Sequence, residues 1–262
     1  MNLIDSATAA ADLLPLPPSA DLASLALFVD VDGTLLDIAA RPDAVIVDVS
    51  LRATLVALHA RLGGAIAVVS GRSLADIDGL LDLRAFAAAG LHGAELRAQG
   101  GGMLATAAGA SLETVRLRAG EIAAAIPGLL VEDKGAAIAL HYRALPDAEL
   151  DVRRAAIGLL DLAGPDYELL QGKCVLELKP RHANKGSALA TLMSMAPFTG
   201  RTPWMIGDDV TDEDAFVEAE ARGGVAIIVG MRRPTAARYA LAGPGAARAW
   251  MASILDDAGV LP

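Results

Sequence analysis

Two acidic clusters, Asp30-Val31-Asp32-Gly33-Thr34 and Gly207-Asp208-Asp209-Val210-Thr211-Asp212, stand far apart in the chain, each directly after an apolar run. The runs, Leu25-Ala26-Leu27-Phe28-Val29 and Trp204-Met205-Ile206, read as strands of a parallel sheet. Such strands are covered on both faces and lose the alternation of polar and apolar residues. Both clusters would then emerge at carboxyl ends of strands, the edge at which open α/β sheets hold ligands. The sequence between them keeps the same rhythm. Residues 50–62 carry Leu51, Leu55, Leu58 and Leu62 at helical spacing, and Gly63-Gly64 ends the helix before a strand over 65–69. Ser70-Gly71-Arg72-Ser73 leaves that strand, a helix follows over 73–82, and a strand over 85–89 runs into Gly90-Leu91-His92-Gly93. This alternation predicts a doubly wound α/β core around a mostly parallel sheet.

Around Gln99-Gly100-Gly101-Gly102 the pattern changes. Helices are expected over 111–125 and 147–162, with strands over 129–132, 136–142, 167–170 and 174–178. Strands with helices on one side predict an inserted α+β domain, residues 101–177, separate from a core made of 24–100 and 178–262. After Asn184 the core rhythm resumes. Leu189, Leu192, Met193 and Ala196 share a helical face, a strand covers 204–206, a helix 211–220 and a strand 225–229, with short helices to the end. Residues 1–23 hold Pro15, Pro17 and Pro18 and no Lys or Arg. They read as a flexible tail, not a signal peptide.

Composition narrows the partners. The chain has 262 residues, 54% of them hydrophobic, enough to fill a sizeable core. Only 3% are aromatic, which argues against a platform for stacking bases, so no nucleic-acid partner is expected. A net charge of −10 opposes an anionic substrate on average. Screening over about 8 Å at physiological salt nevertheless leaves the decision to charges at contact range. The single cysteine, Cys174, excludes an intramolecular disulfide and suits a reducing compartment. No apolar run reaches the roughly 18 residues of a membrane span. A cytoplasmic monomer without a membrane partner is expected.

The clusters carry a definite chemistry. A carboxylate fixed at a strand end, Asp30, can attack phosphorus to form an acyl phosphate, splitting hydrolysis into two steps. Asp32, two residues on, is spaced to protonate the leaving oxygen and later to deprotonate water. Asp208 would reach the same edge and, with Asp30 and one backbone carbonyl, offer the all-oxygen surroundings that suit Mg²⁺. Asp212 reads either as support for that ion or as an acid in a first helical turn. Lys185 follows Asn184, a good N-cap; taken alone it is a surface lysine, and in this company a point charge on a transferring phosphoryl group. Ser70 serves either as an N-cap or as a donor to a phosphate oxygen.

Taken together, Asp30-x-Asp32-Gly33-Thr34, Ser70-Gly71-Arg72, Lys185 and Gly207-Asp208-Asp209-x-x-Asp212 resemble the four ordered motifs of the haloacid dehalogenase superfamily of phosphohydrolases. The resemblance implies an Asp30 nucleophile, Asp32 as acid and base, and Mg²⁺ held by Asp30, the Asp32 carbonyl and Asp208. Ser70 and Lys185 would lie on the phosphate. Further segments look like the bacterial trehalose-6-phosphate phosphatases: Gly90-Leu91-His92-Gly93-Ala94-Glu95, Lys134-Gly135, Ala139-Leu140-His141-Tyr142-Arg143, Gln171-Gly172-Lys173-Cys174 and Glu177-x-Lys179-Pro180. In that family the insert is a cap over the sugar, with Glu132, Lys134 and Glu177 matching residues that bind the distal glucose. Arg72, His92 and Gly93 match positions nearer the phosphate, and His141 lies on a strand that could face the cleft. The resemblance implies Mg²⁺-dependent hydrolysis of trehalose 6-phosphate in trehalose biosynthesis. Phosphatases of sucrose-phosphate or mannosylglycerate type, a phosphomutase and a non-catalytic phosphosugar sensor are the alternatives.

Overall fold

The computed structural model describes residues 14–38, 47–106, 112–172 and 174–256. In chain order the core opens with Leu25–Val29 (β1), Val49–Arg61 (α1), Ile66–Val69 (β2), Leu74–Leu81 (α2), Ala87–Gly90 (β3), Glu95–Arg97 (β4) and Met103–Thr106 (β5). The insert follows with Glu113–Ala125 (α3), Leu130–Asp133 (β6), Ile138–His141 (β7), Glu149–Ala163 (α4), Tyr167–Gly172 (β8) and Val175–Pro180 (β9). The core resumes with Lys185–Met193 (α5), Thr202–Gly207 (β10), Glu213–Ala221 (α6), Val225–Val229 (β11), Tyr239–Leu241 (β12) and Pro244–Asp256 (α7).

One eight-stranded sheet has the order β12-β11-β10-β1-β2-β3-β4-β5. Its strands from β12 to β3 are parallel, and β4 and β5 join antiparallel. Every residue of β1, β2 and β3 is buried, which is why these runs show no alternation. The helices follow their caps. Asp48 accepts the Ser50 amide at 2.8 Å ahead of α1, whose Leu51, Leu55 and Leu58 face inward, and the Ser73 hydroxyl accepts the Asp76 amide at 3.1 Å ahead of α2. The expected doubly wound α/β architecture is the one observed.

A second, four-stranded antiparallel sheet has the order β6-β7-β9-β8. Strand periodicity gives it two different faces. Val131, Ile138, Leu140, Leu176 and Leu178 pack with Val115 and Ile122 of α3 and Val152 and Leu159 of α4. On the other face Glu132, Ala139, Glu177 and Leu170 lie in one row across the strands. That charged face looks toward the core, as the 3.9 Å approach of Glu177 Oε2 to His92 Nε2 records.

Four expectations need correction. Met103–Thr106, assigned above to the insert, lies on the large sheet, because Gly100 (φ +88°) and Gly101 (φ +93°) turn the chain back along β4. This strand was illegible because Met103 is exposed and the strand is short. The insert's last strand, β9, runs past residue 177 to Pro180. Residues 14–23 are not a loose tail: Leu14, Ala20 and Leu22 pack on the core, and the Pro15 carbonyl accepts the Ala240 amide at 2.9 Å. Residues 1–13 of that tail lie outside the described residues. Finally, β12 stands where only helices were expected. Among the described residues no helix is long and apolar enough to cross a membrane.

Phe28 lies fully buried in β1, two residues before Asp30, with its ring 5.3 Å from that of Phe198. Phe28→Ala should cost about 3–5 kcal/mol of stability through the cavity it leaves. Urea unfolding measures this, and an unchanged midpoint would contradict the packing described.

Candidate active site

Asp30 is the first residue past β1, and its amide donates to the Ile206 carbonyl at 2.9 Å, so the β1–β10 ladder fixes its backbone. Its carboxylate accepts from Lys185 Nζ at 2.7 Å, and the same ammonium donates to Asp212 Oδ1 at 2.6 Å. All three side chains are buried. Lys185 opens α5 behind a reciprocal cap in which Asn184 and Ser187 exchange side-chain and amide hydrogen bonds. Asp212 Oδ2 accepts the amides of Asp208 and Asp209, both at 3.0 Å. Burial works against the charge on Lys185, but Asp212 and Asp30 outweigh it and hold it above the ordinary lysine range.

Asp208 points toward the same centre and accepts from Thr34 Oγ1 at 3.3 Å. Two glycines make this crowding possible. Gly33 has φ +83°, and a Cβ there would lie 2.1 Å from Asp208 Oδ2; a Cβ on Gly207 would lie 2.2 Å from Asp212 Cγ.

One oxygen each from Asp30, Asp208 and Asp212 lie within 4.8 Å of one another. Three carboxylates thus share one lysine. Burial raises Asp30 well above the carboxylate range; Lys185 opposes this, and Asp212 and Asp208 add to it. Asp208 is pushed up to about 6, first by burial and then by Asp212 and Asp209. An all-oxygen cluster with a surplus of negative charge fits a hard divalent cation. Asp212 also accepts three hydrogen bonds, which tie Lys185 to the loop of Asp208 and Asp209.

Asp32 is held by a bidentate pair from Arg72, whose Nε and Nη2 each donate at 2.6 Å. This bond to Asp32 raises the Arg72 guanidinium further above its ordinary value. Arg72, expected against the substrate, is therefore tied here to the neighbouring acid. The buried Ser70 hydroxyl accepts the Arg72 amide at 3.1 Å.

His92 stands in a left-handed turn at φ +56° whose amides return to the same motif, His92 N to Ser70 O at 3.0 Å and Leu91 N to Arg72 O at 2.9 Å. Its ring lies against Gly71. Burial, then Lys185, Lys134 and Lys179, lower it to about 3, so it is neutral at pH 7. Gly93 packs against α5, where a Cβ would come 2.7 Å from the Asn184 carbonyl. Its absence of a side chain seats the helix that carries Lys185.

On the insert, Lys134 Nζ lies 3.4 Å from Glu177 Oε2, and His141 Nε2 shares a hydrogen bond of 2.8 Å with Glu132 Oε2. That bond lowers the Glu132 carboxyl, with burial opposing. Among the described residues Glu177 Oε1 and His92 Nδ1 are buried without a hydrogen-bond partner, as is Glu220 Oε2 elsewhere in the core. Lys173 lies outside the described residues. A cavity of about 150 Å³ adjoins Lys185 between the two sheets, lined also by His92, Leu170, Lys179, Val210 and Thr211.

Three cations near the site were given no role from the sequence, Lys179 among them although its segment was noted. Lys179 is buried and donates to Ala183 O at 2.7 Å, with Glu168 at 2.8 Å. Arg248 of α7 donates to Leu35 O at 2.8 Å behind the first acidic cluster. Arg232 grips the second. Only Lys179 had a usable signal, its place two residues after Glu177 on one strand face.

The parallel sheet with its inserted α+β unit is the fold seen in phosphatases of the haloacid dehalogenase type. A phosphatase of that superfamily from Bacteroides thetaiotaomicron shares the fold at TM-score 0.59 and 16% identity, over 94% of this chain and 99% of that one. The chain belongs to the trehalose-phosphatase family, whose model matches residues 28–245. A probable trehalose-phosphate phosphatase of Sinorhizobium fredii is 46% identical over 212 residues, 81% of this chain and 80% of that protein. The trehalose-6-phosphate phosphatase of Escherichia coli is 38% identical over 242 residues, 92% and 90% of the two. A crystal structure of a trehalose-6-phosphate phosphatase related protein superposes at TM-score 0.76 with 27% identity, covering 90% of this chain and 99% of that one.

A proton on Asp208 or Asp30 competes with a cation, so divalent affinity should fall as the pH drops through about 6, the value for Asp208. The fall should approach about tenfold per pH unit for each proton displaced. Titration with Mn²⁺ followed by electron paramagnetic resonance between pH 5 and 7 checks this, and a flat profile would contradict it.

Proposed function

We propose that this chain hydrolyses trehalose 6-phosphate to trehalose and phosphate, with Mg²⁺, through an aspartyl-phosphate on Asp30, in trehalose biosynthesis. The observation that carries the reading is the joining of Asp30 to Lys185 and Asp212 at the strand edge that also presents Asp208. The names of the relatives supply the substrate class. A cytoplasmic monomer is the corresponding setting; the lone cysteine, Cys174, suits the reducing compartment.

An Asp30 oxygen forms the bond to phosphorus as the ester P–O bond breaks, and Asp32 gives its proton to the departing sugar oxygen. Water then attacks phosphorus and loses its proton to Asp32; the acyl P–O bond breaks and Asp30 is regenerated. When bound, the ion would be held by Asp30, Asp208 and the Asp32 carbonyl, and it offsets the repulsion between carboxylate and phosphate. Lys185 places a fixed positive charge beside the nucleophile. When Asp32 takes a proton its pair with Arg72 weakens, freeing the guanidinium to meet phosphate oxygens. Ser70 offers its hydroxyl to the same group. On the cap, Glu132, Lys134, His141 and Glu177 exchange water for sugar hydroxyls, and neutral His92 presents a hydrogen-bonding edge from the core.

Asp30→Asn should fold normally and lose turnover by about 10⁴-fold or more. Near-normal phosphate release from that variant would overturn the nucleophile. Across a panel of phosphate esters, trehalose 6-phosphate should be preferred. Glu132→Ala or Glu177→Ala should lower its kcat/KM by about 10- to 100-fold, the weight of a charge-assisted hydrogen bond. The same variants should leave p-nitrophenyl phosphate within about twofold, since that ester makes no such bond. Equal losses on both substrates would count against the cap assignments.

A further inference from the structure

We infer that Arg232 is a positioning residue for the divalent ion, acting through the backbone that carries Asp208. Its Nε donates to the Asp208 carbonyl at 3.3 Å and its Nη2 to the Asp209 carbonyl at 3.2 Å. The peptide between Asp208 and Asp209 is thus held at both ends, its N–H by Asp212 Oδ2 at 3.0 Å and its C=O by Arg232. The next peptide is held likewise: the Val210 amide donates to Asp209 Oδ1 at 2.7 Å while the Asp209 carbonyl takes Arg232. Two peptide planes fixed at both ends leave the Asp208 carboxylate little freedom to turn away from Asp30.

The guanidinium is itself anchored. It pairs with Glu213 at the start of α6 and donates through Nη1 to the Pro234 carbonyl at 3.0 Å, and the other Glu213 oxygen accepts the Ala236 amide at 2.7 Å. The segment after β11 is in this way bound to the helix after β10, with the acidic loop between them. A planar group with five donors can span two carbonyls, a third carbonyl and a carboxylate together; an ammonium with three donors cannot. The contacts of Arg232 all run to the chain itself, two of them to the carbonyls of Asp208 and Asp209, so its effect is on the geometry of Asp208.

The proposal rests on the reading of Asp30 and Asp208 as ion ligands, and the test separates the two. Mn²⁺ binding is measured on wild type, Arg232→Gln, Arg232→Lys and Glu213→Gln by electron paramagnetic resonance, with circular dichroism to confirm folding. The expected result is an affinity weakened by about tenfold or more in both Arg232 variants, the usual weight of a residue supporting a ligand. Lysine should fail to rescue, and Glu213→Gln should give a smaller loss in the same direction. Turnover should recover at saturating Mn²⁺. Wild-type affinity in Arg232→Gln, or its restoration by lysine, overturns the proposal; should Arg232→Gln not fold, unchanged affinity in Glu213→Gln does so. Absence of Mn²⁺ binding in wild type would remove the ion centre itself, and this proposal with it.

Discussion

Lys185, buried between Asp30 and Asp212, is the contact on which the remaining geometry depends. Taking an ammonium out of water costs several kcal/mol, and only close, well-directed carboxylates offset that. Neither partner is local in sequence. Asp30 is 155 positions away and Asp212 27. The contact forms only because β10 lies beside β1 and α5 precedes β10, so sheet order and ion pair imply one another. Removing the lysine would leave two buried carboxylates facing each other, with Asp208 close by. The site is electrostatically unbalanced by construction, and that imbalance is what would give a divalent cation a place there.

The cap solves a different problem with the same elementary geometry. One face of its sheet is a small hydrophobic core with α3 and α4, which lets the insert fold around its own interior. The alternate residues of the same strands are then free to carry charge. Glu132 and Glu177 flank the small Ala139 in a single row, with Lys134 and His141 paired to them. Charged groups placed on strands are held more rigidly than on loops, which would suit the sugar recognition proposed for them. Glu177 Oε1 and His92 Nδ1, buried without partners among the described residues, come one from the strands of the small sheet and one from the turn after β3.

Much of this was legible in the sequence, and the exceptions share a cause. The buried strands, the helix cap at Asn184 and the four motifs announce themselves locally, through apolar runs, a capping residue and spaced acids, whereas the cap offered at Ser70 falls instead to Ser73. What stayed hidden depends on contacts between distant segments. Arg72 in the chain offers no sign that it will grip Asp32, and Arg232 reads as an ordinary surface arginine until α6 and the segment after β11 meet. The β4–β5 hairpin was concealed by short strands with an exposed methionine, and the packing of residues 14–23 by prolines that resemble a linker until Pro15 pairs with Ala240. Gly93 was placed near the phosphate by resemblance alone, and the chain gave no sign that its small size would also seat α5.

The central claim is that Asp30 carries the phosphoryl group between substrate and water. Its most direct test is to quench the enzyme during turnover of trehalose 6-phosphate with Mg²⁺, reduce any acyl phosphate with borohydride, and map the product by peptide mass spectrometry. The account predicts homoserine in place of Asp30, absent when either the ion or the substrate is omitted. Phosphate release with Asp30 unmodified under conditions that trap acyl phosphates, or reduction at a different carboxylate, would contradict it.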